Sequence, residues 1–199
     1  KLKDIMWAIR TPKLTGDTAG YGQVVPLIDP SHNDLRMLWH SPIGAIASPF
    51  SPVFIGQTKV PEEFMKHRYL TVGESHRFLD ERKKENITTL SLVNQGIEST
   101  ISAVYECKRL FYLILQNKKN YSVVNKAFEN REKKLIKKTV KIIKNNKKLS
   151  KNLLNNFSSF ELIEGLKLVQ YLSKNIEKRI RNSQEFSKNI RPKSFNQIW

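Results

Sequence analysis

The segment 37–64, MLWHSPIGAIASPFSPVFIGQTKVPEEF, limits what this chain can fold into more than any other stretch. It holds two apolar runs, Met37, Leu38, Trp39 and Val53, Phe54, Ile55, each too short for a helix. Around them stand Pro42, Gly44, Pro49, Pro52, Gly56 and Pro61, spaced too closely for helical hydrogen bonding to survive. The pattern predicts two buried strands joined by an ordered loop.

Two more strands are expected upstream. Residues 4–10, DIMWAIR, alternate Trp7 and Ile9 against Met6 and Ala8. Residues 21–28, YGQVVPLI, form the other, with Pro26 at an edge or bulge because it cannot donate to a ladder. Pro61, Glu62, Glu63 and Phe64 read as a helix start, and a short charged helix is expected over 75–83. Three long helices follow. The first, about 94–116, has an apolar face of Ile97, Ile101, Val104, Tyr105, Phe111, Tyr112 and Leu115. The second, about 122–147, uses Val124, Ala127, Phe128, Leu135, Thr139, Val140, Ile142 and Ile143. The third starts near Ser158, where Ser158 and Glu161 match a capping box, and runs on through Leu162, Leu166, Val169, Leu172, Ile176 and Ile180. Asn145, Asn146 and residues 153–156 bracket the connection between the last two, and 191–199 is an irregular tail. Strands first and helices last define an α+β chain. It reads as a single domain or subunit, strand-rich over 1–90 and helical over 91–190.

Charge follows the same division. Residues 1–100 carry 12 Lys and Arg against 11 Asp and Glu, and the remainder 23 against 7. The lysines at 133, 134, 137, 138, 141, 144, 147 and 148 invite a nucleic-acid reading. No aromatic residue is interleaved as a stacking platform, and Lys and Asn are enriched together, so a solvated face is favoured over nucleic acid as a partner. No run approaches the roughly 18 apolar residues of a membrane span, and no secretory leader is recognisable, which leaves the cytoplasm or periplasm.

Complete catalytic sets are not legible. Cys107, the single cysteine, sits in a helical pattern where a thiol behaves as a small buried hydrophobe. None of His32, His40, His67 and His76 forms a closely spaced metal pair, and no cofactor is expected. His40, beside Trp39 and Ser41 at a strand end, is the histidine placed to line a cleft. Arg10 precedes a loop holding Asp17 and Thr18; it can grip a substrate carboxylate or pair internally with Asp17. Residues 16–22, GDTAGYG, are not a phosphate loop, since no Lys-Ser/Thr follows.

Residues 7–28 and 36–64 together resemble the C-terminal part of the dipeptidase A and secernin group, which are N-terminal-nucleophile hydrolases. The likeness rests on Arg10, Thr18, Leu27, Trp39, the Ser41-Pro42 step, Pro49-Phe50, and the Thr58 to Glu62 turn, with the closing helices in matching order. It covers most of residues 5–180. The resemblance implies one side of a four-layer αββα sandwich. It also implies hydrolysis of an amide or peptide bond by an N-terminal cysteine whose own α-amino group is the base. This chain begins with Lys1, so the resemblance further implies a nucleophile on a second chain cut from the same precursor, or a chain that is not itself catalytic. Arg10, Thr18 and His40 would then contact a small amide or peptide substrate. A higher oligomer is left open, as are a basic helical module that binds nucleic acid or anionic surfaces, and a scaffold subunit without a site.

Overall fold

The computed structural model describes residues 1–12, 21–27, 33–56, 59–65, 102–145 and 150–183. Among them lie α1 (Leu2–Ile9), β1 (Tyr21–Val24), β2 (Met37–Pro42), β3 (Ser51–Phe54), α2 (Ala103–Gln116), α3 (Lys118–Asn145) and α4 (Lys151–Ser183). Short 3₁₀ turns occupy Asn33–Leu35 and Glu62–Phe64. The chain is therefore α+β, with one small antiparallel sheet in the order β1-β2-β3 and four helices among the described residues. The expected four-layer sandwich is not what these residues build on their own, because they contain a single three-stranded sheet.

The two strands expected in segment 37–64 are present, and β2 is the centre of the sheet. Their register sets Trp39 opposite Pro52 and Met37 opposite Phe54. Pro52 is tolerated because β3 is an edge strand. Ile55 N–H turns toward β2, donating to Arg36 O, whereas Phe54 N–H turns outward, and Pro52 shares Phe54's orientation. On the other side β1 sets Val24 against Trp39 and Gly22 against Ser41, and it ends before Pro26. Gly22 suits the close approach there: a Cβ would stand 3.2 Å from the Phe50 ring, which would have to give by a few tenths of an ångström.

Residues 4–10 are a correction. Residues 4–9 form the last turns of helix α1 and Arg10 is its C-cap; none of them is in a strand. The alternation of Trp7 and Ile9 competed with a helical spacing, Leu2, Ile5, Met6, Ile9, and the helix wins because it turns Met6 and Arg10 inward on one face. Met6 packs with Val24, Trp39, Phe50, Phe54, Leu135 and Leu154 in one core, which α1, the inner sheet face, α3 and the start of α4 share. A second core is made by Leu110, Phe111 and Ile114 of α2, Val124 and Phe128 of α3, and Val169, Leu172 and Ile176 of α4, with Ile46 and Ala47 inserted from the β2–β3 loop.

The helix starts also differ from expectation. α3 begins at Lys118 because Asn117, in extended conformation, accepts from Lys119 N–H through its side chain at 2.9 Å. α4 begins at Lys151, so Ser158 and Glu161 are not a capping box. The apolar face already includes buried Leu154 and half-buried Phe157, and packing extends the helix back through residues 153–156. α2 is capped by Ser102, whose hydroxyl accepts from Tyr105 N–H at 3.3 Å. Tyr105 and Leu115, expected in its core face, are partly exposed, as is Val140 of α3. The expectations at Ile97, Ile101, 75–83 and 191–199 lie outside the described residues.

Candidate functional site

The β2–β3 loop is unusual for a loop: residues 44–50 are all buried. Buried backbone must find hydrogen-bond partners without water, so the polar side chains that point at this loop are dictated by it. The entry is a tight reversal in which Ile43 and Gly44 both adopt positive φ, 57° and 49°. A β-branched residue accepts that conformation only where its surroundings hold it.

Arg10 is the main holder. It is 0% exposed, and its Nε donates to Ala45 O at 3.0 Å and Nη1 to Asn125 Oδ1 at 3.4 Å, while Nη2 pairs with Glu132 Oε1. Its guanidinium lies against the rings of Phe50 and Phe128. Glu132, 1% exposed on α3, also accepts from Phe50 N–H at 2.8 Å through the same oxygen. Burial pushes the Glu132 carboxyl above the usual carboxylate range, against the pull of Arg10 and the Phe50 N–H. Next to Glu132 in sequence, Arg131 donates to Phe50 O at 3.1 Å, to Ser51 Oγ at 3.3 Å and to Glu161 of α4. Lys138 adds a 2.7 Å bond to the same Glu161. Ser41 Oγ completes the set by donating to Ser48 O at 2.8 Å. The guanidinium of Arg10 is thus fully engaged inside the protein. Its partner is Glu132; Asp17 and Thr18 lie outside the described residues.

His40 stands on the other side of β2 from Trp39, opposite Gln23 and Ser51 in register. It is half-buried, its ring lies 6.2 Å from that of Tyr21, and its buried Nδ1 has no hydrogen-bond partner. Desolvation lowers its pKa below the ordinary 6.5, so it is neutral at neutral pH and able to donate or accept. Arg10 and His40 therefore have different partners and do not form one constellation. Cys107 is buried in the helical core, and burial raises its thiol to about 12, which leaves no thiolate for attack near neutral pH. Among the described residues no group of three His, Cys, Asp or Glu could hold a metal ion, and no helix is long and apolar enough to cross a membrane.

The residue that sequence reading missed is Glu132. It falls four after Phe128 and three before Leu135, inside the apolar stripe of a helix otherwise crowded with lysine. An acid on the wrong face of a basic helix was the available signal. Comparison with protein-family models, with curated proteins and with solved structures finds no match to this chain.

Proposed function

We propose that this chain forms the C-terminal portion of an amide-bond hydrolase of the N-terminal-nucleophile kind, with the nucleophile on a partner chain from the same precursor. The observation that carries the reading is the outer face of the sheet. Tyr21 and Gln23 of β1 are exposed, and Leu38 and His40 of β2 and Val53 of β3 are only half-buried; Ser51 alone on that face is covered, by Arg131 and Glu161, while the inner face is sealed by helices. Helices behind the sheet and a face left partly open among the described residues are what one half of an αββα sandwich would present, and in this reading a second sheet covers that face.

In this reading His40 works from the unfilled face. Being neutral, its half-buried imidazole orients a substrate amide by hydrogen bonding, while the partner's terminal amine and side chain perform the attack. Cys107 takes no part. Arg10 acts one step removed, by fixing the loop that follows β2.

Native mass spectrometry of the complete precursor product tests this, paired with hydrolysis of a dipeptide panel. A co-purifying chain that begins with Cys, Ser or Thr, and hydrolysis that depends on it, are expected. A lone, stable and inactive chain overturns the proposal. Nucleic-acid binding is the competing outcome of the same preparation. It would need stacking surfaces, and the rings nearest the lysine face are already covered by lysine: Trp7 by Lys133 at 5.0 Å, Phe157 by Lys138 at 4.9 Å.

A further inference from the structure

Four large apolar side chains that a folded protein would ordinarily scatter or bury converge at one corner of the molecule. Leu27 is 99% exposed, Ile55 59%, Val25 53% and Val140 43%. They wall a groove of about 370 Å³ between the ends of the strands and the last turns of α3, with Leu35 and Met37 from the buried core at its floor. Clustered exposure of this kind marks a binding surface, whereas single exposed residues do not. The volume falls within the roughly 300–1,000 Å³ of small-molecule sites.

The polar lining has one sign. Among the described residues Arg36 and Lys144 are the charged residues that line the groove, both exposed, and no carboxylate lines it. The nearest acid in sequence, Asp34, is engaged by Lys151 at 3.6 Å. An apolar trough with two cations at its rim complements a ligand with an apolar tail and an anionic head, and it disfavours a cationic or zwitterionic amphiphile.

We propose that the groove formed by Val25, Leu27, Ile55 and Val140 binds a monomeric medium-chain alkyl carboxylate, its tail on the apolar walls and its carboxylate between Arg36 and Lys144. The site is separate from the His40 face, and the proposal stands whether or not the chain is part of a hydrolase. Tail burial sets the affinity, so each added methylene strengthens binding roughly fourfold until the groove is full. The two cations set head-group choice. Both are solvent-exposed, so reversing the ligand's charge costs about tenfold, not more.

Calorimetric titration of the full chain with hexanoate, octanoate, decanoate and decyltrimethylammonium, all below their micellar concentrations, tests both parts. Decanoate is expected to bind more than tenfold tighter than octanoate, and about tenfold tighter than decyltrimethylammonium. The double variant Arg36→Gln/Lys144→Gln is expected to lose the head-group preference and keep the chain-length slope. Val140→Trp, which fills the trough from an exposed position, is expected to abolish binding, with circular dichroism confirming that the fold is retained. Equal affinity for the two head groups, or affinity flat in chain length, overturns the proposal. So does binding to anionic vesicles without binding of monomeric decanoate, or self-association through this corner that Val140→Glu disrupts.

Discussion

The molecule has two cores built from the same long helices, and they are held together by different physics. The helical core of α2, α3 and α4 is almost wholly apolar, with Leu110, Phe128, Val169 and Ile176 fully buried and Cys107 acting as one more small hydrophobe. The sheet core has equally good apolar packing around Trp39 and Phe54, but along its border with the helical core it also holds an ion pair and a buried loop, whose Ile46 and Ala47 reach into the helical side. The difference lies in backbone demand. Helices satisfy their own peptide groups, so a helical interface needs only surface that fits. The β2–β3 loop satisfies few of its own, and Arg10, Ser41, Arg131 and Glu132 are recruited to do it. Buried charge here follows from an irregular backbone that had to be buried.

The largest effect that separates the two cores is expected from breaking the ion pair on one side. Arg10→Met leaves Glu132 buried and unpaired, and should destabilise the fold by about 3–5 kcal/mol in denaturant titrations. Adding Glu132→Leu should recover part of that loss but not all of it, because Ala45 O and Phe50 N–H remain without partners. Full recovery would show that the loop does not depend on the pair. In the helical core Leu110→Ala should cost about 2–5 kcal/mol, as an ordinary cavity, with no dependence on pH across the carboxylate range. A pH-dependent loss there would erase the contrast between the cores.

A smaller effect probes the edge of the sheet. Ser158→Ala removes the hydroxyl that accepts from Phe54 N–H at 3.2 Å, and should cost about 1–3 kcal/mol for a donor left unsatisfied. Asn at this position should restore some of it, since its amide oxygen accepts. The smallest effect concerns His40. Its folded pKa lies below the unfolded value of 6.5, so the unfolded chain takes up the proton first as pH falls. Stability from neutral His40 is complete above 6.5 and declines as pH drops through that value toward the folded pKa. The difference in unfolding free energy between the native protein and His40→Gln, followed from about pH 7.5 to about pH 5, should shift in favour of the variant. A difference constant over that range would mean that desolvation does not govern this imidazole.

Periodicity and punctuation carried most of the fold. The prolines and glycines of segment 37–64 located β2, β3 and the loop, and the leucine spacing of α4 located its buried face from Leu162 to Ile176. The errors arose where two periods fit the same short stretch. Residues 4–10 satisfy both a strand and a helix, and the long-range packing of Met6 against Trp39, Phe50 and Phe54 and of Arg10 against Ala45 and Glu132 selects the helix. Ser158 failed for a related reason: the pair Ser158 and Glu161 has capping-box spacing, yet both serve other elements, β3 and the basic side chains of α3. The site was legible only residue by residue. Arg10 reads from the sequence as a carboxylate partner, but the carboxylate lies 122 positions on, a distance that no local pattern encodes.

The hydroxyl of Ser158 also gives the sheet a direction of growth. By occupying the outward N–H of Phe54, α4 blocks the β3 side against any further strand, and Pro52, with no N–H to offer on that side, reinforces the block. The opposite margin, at β1, pairs with no strand among the described residues. A strand supplied by another polypeptide, whether a functional companion or an aggregating neighbour, would find the β3 margin closed to it. A helix, not a strand, closes the sheet on that side.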